Sequence, residues 1–294
     1  MSGAAVIVLT GILVGVACAV PGCFLVLRRQ SMLGDAISHA ALLGIVAAYW
    51  LTGGKNPLAV LAAATLAGVL TAALVAAVRR SGLAAADAAI GLVFPAMFAI
   101  GVIAISRMPP TLHLDVEHVL FGEIAYAPLD VARVAGVDLG YRSLWTAGAM
   151  AALNLALAAL FFKELQLTTF DAELARTQGF RPDLVGLGLT TATAATVTVA
   201  FDSVGSILAI GMLIVPAATA WLLTDDLARM IGAACATSAL AAATGYLAAR
   251  AIDGSIAGAM VAAAGVLFMA ALVFGPKHGL LARRMAGVRL AGAR

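Results

Sequence analysis

The chain has 294 residues, of which 63% are hydrophobic and 11% charged, with a mean hydropathy of +1.05. Soluble domains carry about half apolar residues and about a quarter charged ones, so this composition excludes an ordinary soluble enzyme and implies a polytopic membrane protein. The formal net charge of +3 is too small and too scattered to argue for nucleic-acid binding.

Runs near the roughly 20 residues that a helix needs to cross a bilayer give about nine predicted spans. They cover 4–27, 36–52, 57–78, 87–106, 143–162, 183–201, 204–223, 229–250 and 254–275, and together they form one all-α transmembrane domain over 1–294. The first run lacks the basic start of a cleaved signal peptide and is longer than its apolar core, so it is expected to remain as a span. The second and sixth are the shortest or the richest in threonine, and are the ones expected to break or tilt. Asp87 sits where a capping residue for the fourth span would stand. Cys18, Cys23 and Cys235 all fall in apolar stretches without metal-finger spacing and read as small buried hydrophobes.

Two connections are long. The segment 108–142 carries His113, Asp115, Glu117, His118, Glu123, Asp130 and Asp138; a solvated surface is its plain reading, and a transient metal relay or docking rim using His113, Asp115, Glu117 and His118 is the sharper one. The segment 163–181 contains Asp171 as N-cap of a short amphipathic helix, Gly179 as its C-terminal stop and Pro182 as the opening of the next span. Asp202, at the junction of two spans, either caps a helix or joins a metal route.

Orientation follows from Lys and Arg. With the N-terminus outside, Arg28, Arg29, Arg79, Arg80, Lys163, Arg176, Arg181, Arg229, Lys277, Arg283, Arg284, Arg289 and Arg294 lie in the cytoplasm. Lys55, Arg107, Arg133, Arg142 and Arg250 lie outside. Thirteen against five of the eighteen basic residues predicts N-out, C-in, with the 163–181 helix in the cytoplasm.

The most telling segment is Gly34-Asp35-Ala36-Ile37-Ser38-His39-Ala40. An acid and an imidazole four residues apart share one helix face, with Cβ atoms roughly 5–6 Å apart. Such a pair can hold one divalent metal, and ionisable groups are kept in a membrane segment only where they do something. The plainer alternative is that Asp35 caps the second span while His39 bonds a neighbouring helix. Asp35 follows Arg29 by only six residues, so hydropathy leaves open whether the second helix is displaced toward the membrane centre or the site lies late on the path.

No Gly-x-x-x-x-Gly-Lys-[Ser/Thr] loop, His-Glu-x-x-His pair or Gly-x-Ser-x-Gly elbow occurs, so the sequence offers neither an ATP cradle nor a recognisable hydrolytic centre.

Leu27-Arg28-Arg29-Gln30-Ser31-Met32-Leu33-Gly34-Asp35-Ala36-Ile37-Ser38-His39-Ala40, Asp87-Ala88-Ala89-Ile90-Gly91, Val119-Leu120-Phe121-Gly122 and Val204-Gly205-Ser206-Ile207-Leu208 running to Leu213-Ile214-Val215-Pro216-Ala217-Ala218-Thr219-Ala220 stand in that order. In these motifs the chain resembles, over nearly its whole length, the permease subunits of bacterial manganese/zinc/iron ABC importers. The resemblance implies a multi-pass inner-membrane subunit, paired with a second permease copy, identical or paralogous. It further implies a separate ATPase subunit that hydrolyses ATP and an extracytoplasmic binding protein that delivers the metal. It implies that Asp35 and His39 belong to the metal route. It implies that 163–181 is the coupling loop, whose Glu-x-Ala pattern with a Gly six after the Glu is matched by Glu173, Ala175 and Gly179, with Leu174 where alanine is usual.

Two functional readings follow. The first is a non-enzymatic ABC permease for manganese foremost, or zinc or ferrous iron, with no permanently bound cofactor; the second is an ion-coupled secondary carrier in which Asp35 and His39 relay protons. A capped cytoplasmic helix and the lack of an obvious inverted repeat favour the first. Carboxylate plus imidazole without thiolate suits those metals better than copper(I), and the metal itself is not named by the sequence.

Overall fold

The computed structural model describes residues 2–53, 56–82, 84–107, 124–134, 137–276 and 279–280. Among them run α1 (Gly3–Leu27), α2 (Ser31–Thr52), α3 (Pro57–Arg80), α4 (Ala86–Ser106), a 3-10 turn (Ile124–Tyr126), strands β1 (Val131–Val134) and β2 (Val137–Tyr141), then α5 (Arg142–Leu160), α6 (Phe162–Phe170), α7 (Ala172–Thr177), α8 (Pro182–Val204), α9 (Ser206–Leu223), α10 (Leu227–Ile252) and α11 (Ile256–Phe274). Nine of these helices, all but α6 and α7, are long and apolar enough to cross a membrane, which makes this an all-α multi-pass membrane protein.

The helices divide into two packed groups. Helix α1 runs through the centre of the larger one, against α5, α9 and α10, with Val14, Cys18, Leu208, Met212, Leu213 and Met260 buried at its heart. Helices α2, α3 and α4 form the smaller group around Ile37, Ala40, Val93 and Met97, and α8 joins the two by packing on α1, α2, α3 and α5. In lipid there is little hydrophobic drive between helices, so close backbone approach carries the packing. A Cβ on Gly22 would collide with the Leu213 carbonyl, and one on Gly44 with the Ala63 carbonyl, so glycine is what lets α1 meet α9 and α2 meet α3. Between α1, α5 and α8 the buried Asn154 donates to the Ala17 carbonyl at 2.8 Å and to the Thr196 hydroxyl at 2.7 Å.

Predicted and observed boundaries differ where polar residues lie inside a helix. Helix α2 begins at Ser31 rather than 36, because only three residues separate it from α1. That corner closes with Arg29 in a left-handed conformation (φ 55°) while the Arg29 and Gln30 N–H groups donate back to Val26 and Leu25. Both spans expected to break are continuous helices. The N-cap of α4 is Ala85, so Asp87 lies in its first turn and is not the capping residue. In the 108–142 connection the structure adds an antiparallel hairpin, with Val131 opposite Tyr141 and Val134 opposite Val137. In 163–181 it adds the nine-residue helix α6.

Candidate functional site

Asp35 is the fifth residue of α2, whose N-cap is Gln30, so the capping alternative for Asp35 does not hold. Its side chain lies on the flank of the helix and faces His39 one turn on, with Oδ1 and Nε2 3.4 Å apart. At a rise of about 1.5 Å per residue, Asp35 and His39 stand about 6 and 12 Å along a helix about 33 Å long, in the half nearer its Arg28–Arg29 end. Ser38, between them, is turned back and donates its hydroxyl to the Asp35 carbonyl at 2.5 Å, which leaves the carboxylate and imidazole as the polar groups of this face. Helix α4 frames the imidazole: the rings of Phe94 and Phe98 lie with centroids 5.5 Å from that of His39, one tilted and one edge-on. These two phenylalanines are one helical turn apart, and sequence reading passed over them because a Phe pair in an apolar span carries no signal of its own.

The pair is not sealed inside the chain. Asp35 keeps 38% and His39 33% of its side-chain surface exposed. Among the described residues no three His, Cys, Asp or Glu side chains come together as a metal enclosure. One chain thus supplies a two-residue bite with open positions, suited to transient rather than permanent holding of a divalent ion. Of the further candidates, Asp202 is in the last turn of α8 and pairs with Arg142 at the start of α5, 3.3 Å away and largely exposed. It ties two helix ends together at the end of the bundle opposite Arg28. His113, Asp115, Glu117, His118 and Glu123 lie outside the described residues.

The second cluster is built around α7. Asp171 caps it as expected, its Oδ1 accepting from the Glu173 and Leu174 N–H groups at 3.1 and 2.9 Å. At the other end Gly179 takes φ 87°, and the N–H groups of Gly179 and Phe180 donate to the Arg176 and Ala175 carbonyls at 3.1 and 2.9 Å, so the helix stops where the glycine stands. Ala175 is fully buried, whereas Glu173, Leu174 and Arg176 are exposed together with Phe170 just before the cap. The result is a short knob, capped at both ends, whose outer face mixes charged and apolar side chains.

Arg28, which the sequence showed as a cytoplasmic charge and as part of the motif at 27–40, anchors this knob. From the C-cap of α1 its Nε and Nη2 donate to the hydroxyls of Thr169 and Thr168 in the last turn of α6, at 3.1 and 3.0 Å. Burial pushes the Arg28 guanidinium below its ordinary pKa, and the two hydroxyls partly replace the lost water. The central helix of the bundle is thereby tied to the last turn of α6, which leads through Phe170 into the α7 cap.

Comparison with known proteins extends this picture over the whole chain. It is 40% identical over 285 residues to the manganese transport system membrane protein MntD of Bacillus subtilis, covering 97% of this chain and 96% of that protein. It is 46% identical over 277 residues to the zinc transport system membrane protein TroD of Treponema pallidum, covering 94% and 75%. Among solved structures, PsaBC of Streptococcus pneumoniae in complex with a Fab superposes with a TM-score of 0.75 at 29% identity, over 92% of this chain and 91% of that one. Residues 4–275 match the ABC 3 transport family, and the chain belongs to it.

Proposed function

We propose that this chain is the permease of an ABC importer for a divalent transition metal, manganese foremost, with zinc or ferrous iron as the other candidates, and that Asp35 and His39 touch the ion in transit. The observation that carries the reading is the 3.4 Å carboxylate–imidazole pair on a membrane span, with two aromatic rings against the imidazole and both side chains about a third exposed. Relatives named for manganese and zinc transport support the cargo class. An exposed ionisable pair on a span is costly against lipid, so a second permease copy is expected to cover this face. That copy, or water, completes the coordination.

The remaining parts follow from the same reading. The Arg28 end faces the cytoplasm, in keeping with thirteen of eighteen basic residues. There α7 docks on a separate ATPase subunit through Glu173 and Leu174, with Asp171 and Gly179 fixing its ends and Ala175 seating it on the bundle. A binding protein supplies the ion at the far side. Closure of the ATPases pushes on α7, and α6 and Arg28 pass that motion to α1. The two-ligand bite then releases an ion that a closed four-ligand site would retain. Selection between metals falls to geometry and to the binding protein, since such ligands otherwise favour zinc over manganese.

The test is uptake into proteoliposomes holding the chain with its ATPase subunit and supplied with the binding protein, with manganese, zinc and ferrous iron offered one at a time. Accumulation of one of them that requires ATP inside the assembly is expected. Transport that proceeds without the ATPase and follows a proton gradient would replace this reading with the secondary carrier.

A further inference from the structure

A second polar site lies at the Arg28 end of the bundle, in a cavity that does not include Asp35 or His39. Between the start of α2, the end of α3 and the start of α8 is a cavity of about 430 Å³. Its mouth carries Arg28, Arg79, Arg80 and Asp183, and its wall, further along α3 and α8, is apolar, with Val69, Ala73 and Leu187. Asp183 is shared by Arg80 at 3.5 Å and by Arg176 of α7 at 3.9 Å. Arg79 forms no ion pair among the described residues, and the two bonds of Arg28 to threonines use Nε and Nη2, leaving Nη1 toward α8 beside Gly186. The mouth therefore holds three guanidinium groups against one carboxylate.

We infer that this cavity binds an anionic phospholipid, its headgroup phosphate on Arg79 and Arg28 and an acyl chain along the α3–α8 wall. A guanidinium fork matches phosphate oxygens, and basic pockets between spans are the usual seat of such headgroups. Polarity decides the occupant: a soluble anion would use the arginines but leave the apolar wall wet, whereas a phospholipid satisfies both ends at once. Since Asp183 reaches both Arg80 and Arg176, the lipid sits one ion pair from α7.

The full-length protein in detergent, titrated with phosphatidylglycerol or phosphatidylcholine and examined by native mass spectrometry, tests this. Phosphatidylglycerol should be retained in preference to phosphatidylcholine. Arg79→Ala, an exposed change that leaves the packing alone, should weaken that retention about fivefold, as expected of one basic residue at a lipid surface. Arg79→Lys should recover part of it. Ala73→Phe, which fills the wall, should lower retention with all arginines in place. Equal retention of the two lipids, or wild-type retention in Arg79→Ala, overturns the assignment. Displacement of phosphatidylglycerol by millimolar inorganic phosphate gives the site to a soluble anion. Unchanged lipid retention with lost copurification of the ATPase in Arg79→Ala gives it to the partner protein. Either of these last two results also overturns the lipid.

Discussion

Asp35→Asn separates a metal ligand from a structural residue, because the two roles differ in energy by several kcal/mol. Asp35 is inside α2 and Gln30 holds the cap position, so no capping bond is at stake. Asp and Asn have nearly equal helix propensity, and an exposed i,i+4 pair such as Asp35–His39 contributes only about 0.2–0.5 kcal/mol. The fold should therefore lose less than about 0.5 kcal/mol. A carboxylate about 2.1 Å from a divalent ion, by contrast, gains about 4 kcal/mol from its unit charge even at the dielectric of bulk water, which corresponds to roughly a thousandfold in site occupancy. Both side chains are about a third exposed, so water screens the pair and a lower effective dielectric would only enlarge this gain. Initial rates of radioactive manganese uptake, normalised to the amount of permease in the membrane and to copurified ATPase, should fall to background in Asp35→Asn. Asp202→Asn, which disturbs only an exposed pair with Arg142 worth at most about 1 kcal/mol, should stay within about twofold of wild type. Wild-type uptake in Asp35→Asn at normal expression would remove Asp35 from the metal route.

Three further outcomes are expected. Glu173→Lys puts a cation on the exposed face of α7 without touching the Asp171 cap, and should reduce ATPase copurification several-fold; intact association with normal coupling would show that the docking surface is elsewhere. Cysteines introduced at Asp130 or Asp253 should react with an impermeant thiol reagent from outside, and cysteines at Ser81 or Thr177 should not, a pattern whose inversion would reverse the orientation drawn from Lys and Arg. Asn154→Val removes two buried interhelical hydrogen bonds and should lower stability in detergent by about 1–2 kcal/mol, a few degrees in melting temperature, while an unchanged melting temperature would count against the bonds as interhelical glue.

What the sequence determined by itself is what depends on local rules. Span number follows from bilayer thickness and a run of apolar residues, and the nine predicted spans correspond to nine helices within a few residues at each end. The α7 ends were legible because Asp171 and Gly179 act on the backbone within one turn of themselves. The spacing of Asp35 and His39 was legible because helical period alone puts them on one face. The hairpin at 131–141 was missed because a search for spans does not register two short alternating runs split by Ala135-Gly136. Tertiary structure decided the rest. It placed Asp35 inside α2, since the three-residue corner at Arg29 is set by how α1 and α2 pack and not by hydropathy. It gave Asp202 to Arg142, across sixty residues, and set Phe94 and Phe98 around His39. It made Arg28 the tie between α1 and α6. Each of these is a contact between helices, fixed by which faces small residues such as Gly22 and Gly44 allow to approach, and no periodicity within a single span encodes it.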